Sequence, residues 1–125
     1  MDTPKNSRNI QLGKWGEQQA EKFLLEKGYQ ILTRNVRTPY GEIDLIAQKD
    51  EILVFVEVKT RSSRTYGNPE EAVTETKLTH MIDSAESYLQ ENTDSLQDWR
   101  IDVIAVTKTS GYNPEIIHFE NAVSS

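Results

Sequence analysis

The 125-residue sequence contains no cysteine, which excludes disulfide bonds and thiolate metal sites. Its only histidines are His80 and His118, too few for a histidine-rich zinc site. No apolar stretch approaches the roughly 20 residues that a membrane-spanning helix requires, and no signal peptide is recognisable at the start. These absences predict a cytoplasmic protein that does not enter a membrane, and the length suits one domain.

Basic residues are also scarce, since 14 lysines and arginines stand against 20 acidic residues, for a net charge of −6. Such a charge at first argues against a nucleic-acid partner. The distribution softens that objection: residues 1–65 hold 11 basic and 9 acidic side chains, whereas residues 66–125 hold 3 and 11. The acidic half indicates weak non-specific affinity for DNA and favours a protein partner that recruits the chain to it.

Hydrophobic periodicity and turn residues predict the element order α-β-β-β-α-β-β. A strand meander followed by a helical crossover predicts an α/β fold with a mixed central sheet flanked by helices. The expected helices span 10–27 and 69–90, and the expected strands span 29–36, 41–47, 53–59, 99–107 and 115–119. We expect a disordered tail over residues 1–9, a single domain over 10–120 and a C-terminal tail over 121–125.

Two of the predicted strands carry acidic residues inside apolar runs. One reads GEIDLIA from Gly41 to Ala47, and the next reads LVFVEVK from Leu53 to Lys59. A charge in a buried strand is costly unless it is paired, hydrogen-bonded or bound to a metal ion. The two strands therefore indicate a polar site within the sheet.

The short link between these strands fits a hairpin, and the register decides which side chains meet. If paired position numbers sum to 101, Asp44 lies opposite Glu57, and Glu42 lies opposite Lys59. A slip of two residues would keep the same faces, so this opposition depends on the register. The face opposite these charges would be wholly apolar and would consist of Ile43, Leu45, Ala47, Val54, Val56 and Val58.

Two opposed carboxylates repel each other, and a divalent cation between them would convert that repulsion into binding. Hard oxygen ligands favour Mg²⁺ or Mn²⁺. Lys59 follows Glu57 by two positions, so it shares the same face and could orient a water molecule or stabilise phosphate charge. The alternative is an ordinary cross-strand pair of Glu42 with Lys59, because Glu-x-Lys is a weak motif that recurs at Glu75–Lys77.

The segments Gly41–Ala47 and Phe55–Arg61, together with GKWGE at Gly13–Glu17, resemble the YraN-like family of small bacterial predicted endonucleases. That family is similar to archaeal Holliday-junction resolvases and belongs to the restriction-endonuclease-like superfamily. The resemblance covers nearly the whole chain, including YGNP at Tyr66–Pro69 and RIDV at Arg100–Val103. It implies a restriction-endonuclease-like core and activity on DNA.

The superfamily pattern is Asp, then Asp or Glu, any residue, and Lys. By that resemblance, Asp44 and Glu57 would be metal ligands and Lys59 the catalytic lysine. Glu17 matches the acidic residue that resolvases bring to the metal from the first helix, although a solvated helix carboxylate is an equal alternative. Glu42 is a further candidate ligand.

Five side chains near this site could contact phosphates or bases, while surface solvation is the alternative for each. They are Arg34, Arg37, Arg61, Arg64 and Tyr66. Tyr66 could stack on a base or cap the edge of the core. The prediction is a Mg²⁺- or Mn²⁺-dependent endonuclease acting on DNA, branched or structured DNA included, with a homodimer expected if the substrate is a four-way junction. The alternative is a non-catalytic module that binds DNA or protein on the same scaffold.

Four other residues carry structural expectations. Gly13 and Gly16 are unusual inside a helix, so either they permit close packing or the helix starts later. Lys77 could face the site from its helix, but we expect it to be a solvated lysine. Asp102 is the one acidic residue in the strand expected over 99–107. It would either pair with a basic residue across the sheet or support the site residues, and we favour a structural role.

Overall fold

The computed structural model describes residues 4–62, 74–92, 97–111 and 113–122. Within these ranges the chain forms two helices and five strands in the predicted order. The helices are α1 (Pro4–Glu26) and α2 (Glu75–Asn92), and the strands are β1 (Gln30–Thr38), β2 (Gly41–Lys49), β3 (Ile52–Arg61), β4 (Trp99–Thr107) and β5 (Glu115–Phe119). The division into tails and one domain over 10–120 stays a prediction.

The five strands form one mixed sheet in the order β1-β2-β3-β4-β5. The first three strands are an antiparallel meander, β4 runs parallel to β3, and β5 returns antiparallel to β4. α2 lies between the two parallel strands in the chain, as expected because parallel neighbours need a crossover connection. This is the predicted α/β architecture, and it is consistent with a nuclease-like core.

Each face of the sheet is covered by one helix. The cluster on the α1 side contains Ala20, Leu24, Tyr29, Leu45, Ala47, Val54, Val56, Ile104 and Val106. The cluster on the α2 side contains Ile43, Ile46, Leu53, Phe55, Met81, Ala85, Ile101 and Val103. Because both faces are covered, β4 is buried along nearly its whole length. Neither α1 nor α2 is long and apolar enough to cross a membrane.

Both helix starts differ from the prediction, whereas β4 and β5 have the predicted bounds. α1 begins at Pro4, inside the segment expected to be a tail, and proline suits a first turn because its missing N–H needs no partner there. The predicted continuous helix from residue 69 is wrong at Thr74, which is not helical. Instead, Thr74 Oγ1 accepts a hydrogen bond from the Lys77 N–H (3.3 Å) and caps α2. The predicted start at Asn68 and Pro69 lies outside the described residues.

The hairpin of β2 and β3 has the predicted register. Every ladder pair from Leu45–Val56 to Lys49–Ile52 sums to 101. The ladder ends at Leu45–Val56, however, so the expected pairing of Asp44 with Glu57 is not part of it. The reason is that the Asp44 carboxylate accepts a hydrogen bond from the backbone N–H of Val58 in β3.

A buried carboxylate of β4 connects this strand to β5 and to the residues that follow β5. Asp102 is fully buried and accepts hydrogen bonds from Arg100 Nε–H (3.0 Å) and the Asn121 N–H (2.9 Å), while His118 Nε2 lies 2.7 Å away. Burial alone would raise the pKa of Asp102, but the hydrogen bonds from His118, Asn121 and Arg100 outweigh it and hold that pKa below its ordinary value. Asp102 thus pairs with the basic residue Arg100, as expected for a structural role, although Arg100 lies on the same strand and not across the sheet.

Candidate metal centre

Three carboxylates from two elements meet near the start of β2. Glu17 reaches this place from α1, and Glu42 and Asp44 reach it from β2. One oxygen from each of the three lies within 4.8 Å of the others. The structure thus brings together three of the four predicted metal ligands, including Glu17, for which solvation was the alternative.

A local break in strand alternation makes this meeting possible. Ile43 packs on the α2 side of the sheet and Leu45 packs on the α1 side, although two residues separated by one position should share a face. The predicted apolar face is therefore wrong at Ile43. The break is centred on Asp44, which lies beside Asn35 of β1, and neither residue belongs to a ladder pair between these strands.

Asn35 organises the carboxylates from the neighbouring strand. Its backbone has a φ of 50°, a left-handed conformation that asparagine tolerates better than most residues. Its Nδ2 group donates one hydrogen bond to Glu17 Oε1 (3.0 Å) and another to Glu42 Oε1 (3.2 Å). The amide therefore holds two acidic side chains close together by supplying positive partial charge between them.

Asp44 is the most perturbed acid of the site. Its Oδ2 accepts a hydrogen bond from the Val58 N–H (2.8 Å), so the side chain replaces a backbone acceptor where the β2–β3 ladder ends. Burial first, and then the nearby carboxylates of Glu17, Glu57 and Glu42, raise the pKa of Asp44 to about 7 despite this hydrogen bond. A carboxyl held in this way needs a compensating cation to be ionised at low cost.

Glu57 and Lys59 of β3 complete a recess of about 380 Å³ that is also lined by Glu17, Asp44 and Thr60. We call this space the carboxylate recess. The three residues of the predicted motif, Asp44, Glu57 and Lys59, thus line one concave surface. Burial raises the pKa of Glu57, with the positive charges of Lys59 and His80 opposing that rise.

Glu57 nevertheless has another partner. Its Oε1 lies 3.5 Å from Nζ of Lys77 in the first turns of α2, and both side chains are about one-fifth exposed. The expectation that Lys77 is merely solvated is therefore wrong. The alternative, that Lys77 faces the site from its helix, is the one observed. Its partner could not be predicted, because the contact joins β3 to a helix whose rotation about its axis depends on packing.

The donor set suits a hard divalent cation. All of the candidate ligands are carboxylate oxygens, which Mg²⁺ and Mn²⁺ prefer and for which Mg²⁺ commonly uses only one or two together with water and phosphate. Burial, and after it the neighbouring carboxylates, raise the pKa of Asp44, so a cation beside this carboxylate would stabilise its ionised form. The residues present therefore fit such an ion, with Asp44, Glu17 and Glu42 as the nearest ligands and Glu57 beside them.

The predicted nucleic-acid contacts are spread around this site. Arg34 forms an ion pair with Glu21 of α1, and Arg37 is exposed on β1. Arg61 ends β3, where its Nε–H donates to Thr107 Oγ1 (3.5 Å). Arg64 and Tyr66 lie outside the described residues. The role of all five in binding nucleic acid stays a prediction.

Comparison with known proteins places the chain among relatives of similar length. A family model described as "Uncharacterised protein family UPF0102" matches residues 16–106. A UPF0102 protein of Syntrophomonas wolfei subsp. wolfei is 44% identical over 114 residues, which cover 91% of this chain and 98% of the relative. A UPF0102 protein of Chloroherpeton thalassium is 48% identical over 98 residues, covering 78% and 76%. This chain therefore belongs to the UPF0102 family, the YraN family that its motifs predict.

Proposed function

We propose that this protein is a Mg²⁺- or Mn²⁺-dependent endonuclease that hydrolyses phosphodiester bonds in DNA, branched or otherwise structured DNA included. The observation that carries the proposal is the meeting of Glu17, Glu42 and Asp44 within 4.8 Å, two of which line a recess that Lys59 also lines. A nuclease of this kind needs anionic ligands for a metal ion and a cation near the phosphate, and this recess offers both.

Each residue of the candidate site has a distinct task in this proposal. Asp44, Glu17 and Glu42 would hold the metal ion, which when bound lowers the pKa of a water molecule and offsets phosphate charge. Asn35 keeps Glu17 and Glu42 oriented toward the same point through its two amide hydrogen bonds. Lys59 would donate hydrogen bonds to the attacking water or to a phosphate oxygen, where negative charge grows as the bond breaks.

The charge distribution supports a substrate that is recognised by structure. With a net charge of −6, the chain has little electrostatic attraction for DNA in general. Arg34, Arg37 and Arg61 offer positive charge on the strands around the recess. A cytoplasmic location and, for a four-way junction with two symmetric scissile bonds, a homodimer are parts of the same proposal.

Labelled linear, single-stranded, flapped and four-way-junction DNA would be incubated with the purified protein in Mg²⁺ and in Mn²⁺. The wild type is expected to cut at least one of these substrates, and Lys59→Ala is expected to cut none. Lys22→Ala is the matched control, because it removes an exposed lysine of α1 and should leave cleavage unchanged. Equal cleavage by wild type and Lys59→Ala would refute the assigned role of Lys59.

A second candidate is a non-catalytic module that binds DNA or a protein on the same scaffold. The 11 acidic and 3 basic residues of positions 66–125 favour a protein partner over DNA. This candidate predicts binding that is indifferent to EDTA. It would replace the nuclease proposal if folded wild-type protein cut no substrate with metal in excess.

A further inference from the structure

Glu57 lies outside the group of close carboxylates and pairs with a lysine. The predicted motif makes Glu57 a metal ligand, yet the group of three close carboxylates among the described residues consists of Glu17, Glu42 and Asp44. Glu57 forms an ion pair with Lys77 instead, at 3.5 Å. A candidate ligand is thus held by a lysine on the other side of the sheet.

Glu57 stands at the boundary between two spaces. It lines the carboxylate recess together with Asp44 and Glu17. It also lines a cleft of about 180 Å³ between the sheet and α2, which we call the α2 cleft. A glutamate has three rotatable side-chain bonds, so its carboxylate can turn from one space to the other without movement of the strand.

The α2 cleft has the composition of a binding site for part of a nucleic-acid strand. Its floor is apolar and includes Phe55 and Met81, and Tyr40, which is 55% exposed, stands at its rim. Lys77 and His80 are the basic residues among its lining, and the acidic ones, Glu42 and Glu57, are both candidate metal ligands. An apolar floor suits a sugar or a base, and the basic side chains suit the phosphate next to it.

The ion pair blocks both of its members. While Lys77 holds Glu57, the carboxylate lies outside the group of three close oxygens at Asp44, and the ammonium group is engaged by a carboxylate. A doubly charged cation near Asp44 attracts Glu57 more strongly than a singly charged lysine does. Once Glu57 turns to such a cation, Lys77 is left without its carboxylate partner on the wall of the α2 cleft.

We infer that Lys77 is a positioning residue that exchanges partners. It holds Glu57 in the metal-free protein, releases it to the metal ion, and then binds a DNA phosphate in the α2 cleft. This inference rests on the proposed function and adds to it a coupling: metal binding prepares the DNA site, and bound DNA strengthens metal binding by the same factor.

The first test is the affinity for Mn²⁺, measured by calorimetry without DNA. Lys77→Gln removes the competitor for Glu57 and is expected to bind Mn²⁺ about two- to fivefold more tightly than the wild type, the range of one partly exposed ion pair. Lys77→Arg keeps the pair and should match the wild type. Lys14→Gln is the charge control, because Lys14 lies beside Glu17 in a neighbouring pocket and its loss should have a smaller effect.

The second test is the salt dependence of binding to a four-way-junction DNA. It is carried out in Ca²⁺, which binds carboxylate oxygens, and its readout is DNA binding and not cleavage. The slope of log affinity against log salt should be shallower by about one in Lys77→Gln than in the wild type, because one phosphate contact is lost. In EDTA the two proteins should have equal slopes, since Lys77 is then held by Glu57. Thermal unfolding checks that each variant is folded.

Asp44→Asn separates failure of this inference from failure of the proposed function. Mn²⁺ binding that needs Asp44 but is unchanged in Lys77→Gln would overturn the exchange and leave the metal site standing. Equal salt slopes of both proteins in Ca²⁺ would overturn the phosphate role of Lys77. A wild type that binds no Mn²⁺ through Asp44 would overturn both the proposed function and the exchange.

Discussion

Gly16 of α1 lies directly against Thr60 of β3, so closely that a Cβ atom at position 16 would overlap Oγ1 of Thr60. Glu17 follows in the same helix, and Asp44 bonds to the backbone of β3. The distance between α1 and β3 therefore sets how closely Glu17 approaches Asp44. Glycine at position 16 is a requirement of the carboxylate recess as well as of packing.

We expect Gly16→Ala to lower the free energy of unfolding by about 1–3 kcal/mol, the usual range for a side chain forced into a filled contact. The displaced helix should also weaken Mn²⁺ binding, because Glu17 moves away from Asp44. Urea unfolding and calorimetry measure the two effects.

Gly13→Ala is the matched control, because a Cβ atom at position 13 meets nothing within 4 Å. The better helix propensity of alanine should therefore raise the free energy of unfolding by up to about 1 kcal/mol. Equal stability of both variants would refute the close contact.

Asp44 predicts a pH dependence of stability without metal. Because burial raises its folded pKa to about 7 from an unfolded value near 3.9, folding takes up a proton between these values. The free energy of unfolding therefore falls as pH rises from about 4 to 7. Asp44→Asn abolishes this loss, so we expect it to be more stable than the wild type at pH 8, by about 1–2 kcal/mol after allowance for partial exposure.

Urea unfolding of both proteins at pH 5 and pH 8 checks this expectation. The difference between Asp44→Asn and wild type should be larger at pH 8 than at pH 5. Asp98→Asn, on an exposed residue before β4, controls for the loss of one negative charge. A difference that does not change with pH would show that Asp44 does not titrate in this range.

Metal binding should be coupled to the same proton. The ion needs ionised Asp44, so Mn²⁺ affinity should rise about tenfold per pH unit below 7 and level off above it. Calorimetry at pH 6 in two buffers with different ionisation enthalpies measures the proton released. We expect close to one proton per ion in the wild type. Binding that is independent of pH between 5.5 and 7 would contradict the assignment of Asp44 as a ligand.

Much of the fold could be predicted because its signals are local. The bounds of β4 follow from a nearly continuous apolar run between polar segments. Matching apolar faces exclude a one-residue slip between β2 and β3, and the short link between these strands favours the observed register over a two-residue slip. The start of α2 could not, because asparagine and proline at positions 68 and 69 form a stronger local cap signal than Thr74, the observed cap. Local pattern alone cannot choose between two caps.

The candidate site was predicted where chemistry identifies it and missed where contact between elements decides it. A carboxylate in an apolar strand marks Asp44 and Glu57 in the sequence. Asn35 carries only a weak signal, since its left-handed backbone and its bond to Glu42 depend on the pairing of β1 with β2, and its bond to Glu17 exists only once α1 packs on the sheet. The same holds for Lys77, whose partner is fixed by the rotation of α2.

The hydrogen bonds around Asp102 predict how the free energy of unfolding changes at low pH. Asp102→Asn leaves Arg100 and His118 without their buried carboxylate, so we expect a loss of about 3–5 kcal/mol at pH 7. Since the folded pKa of Asp102 is below its unfolded value, its contribution is present above about pH 4 and is lost as pH falls further. Urea unfolding at pH 7 and pH 3 should therefore show a smaller difference between variant and wild type at pH 3. A difference that stays constant across this range would mean that Asp102 acts through its shape rather than its charge.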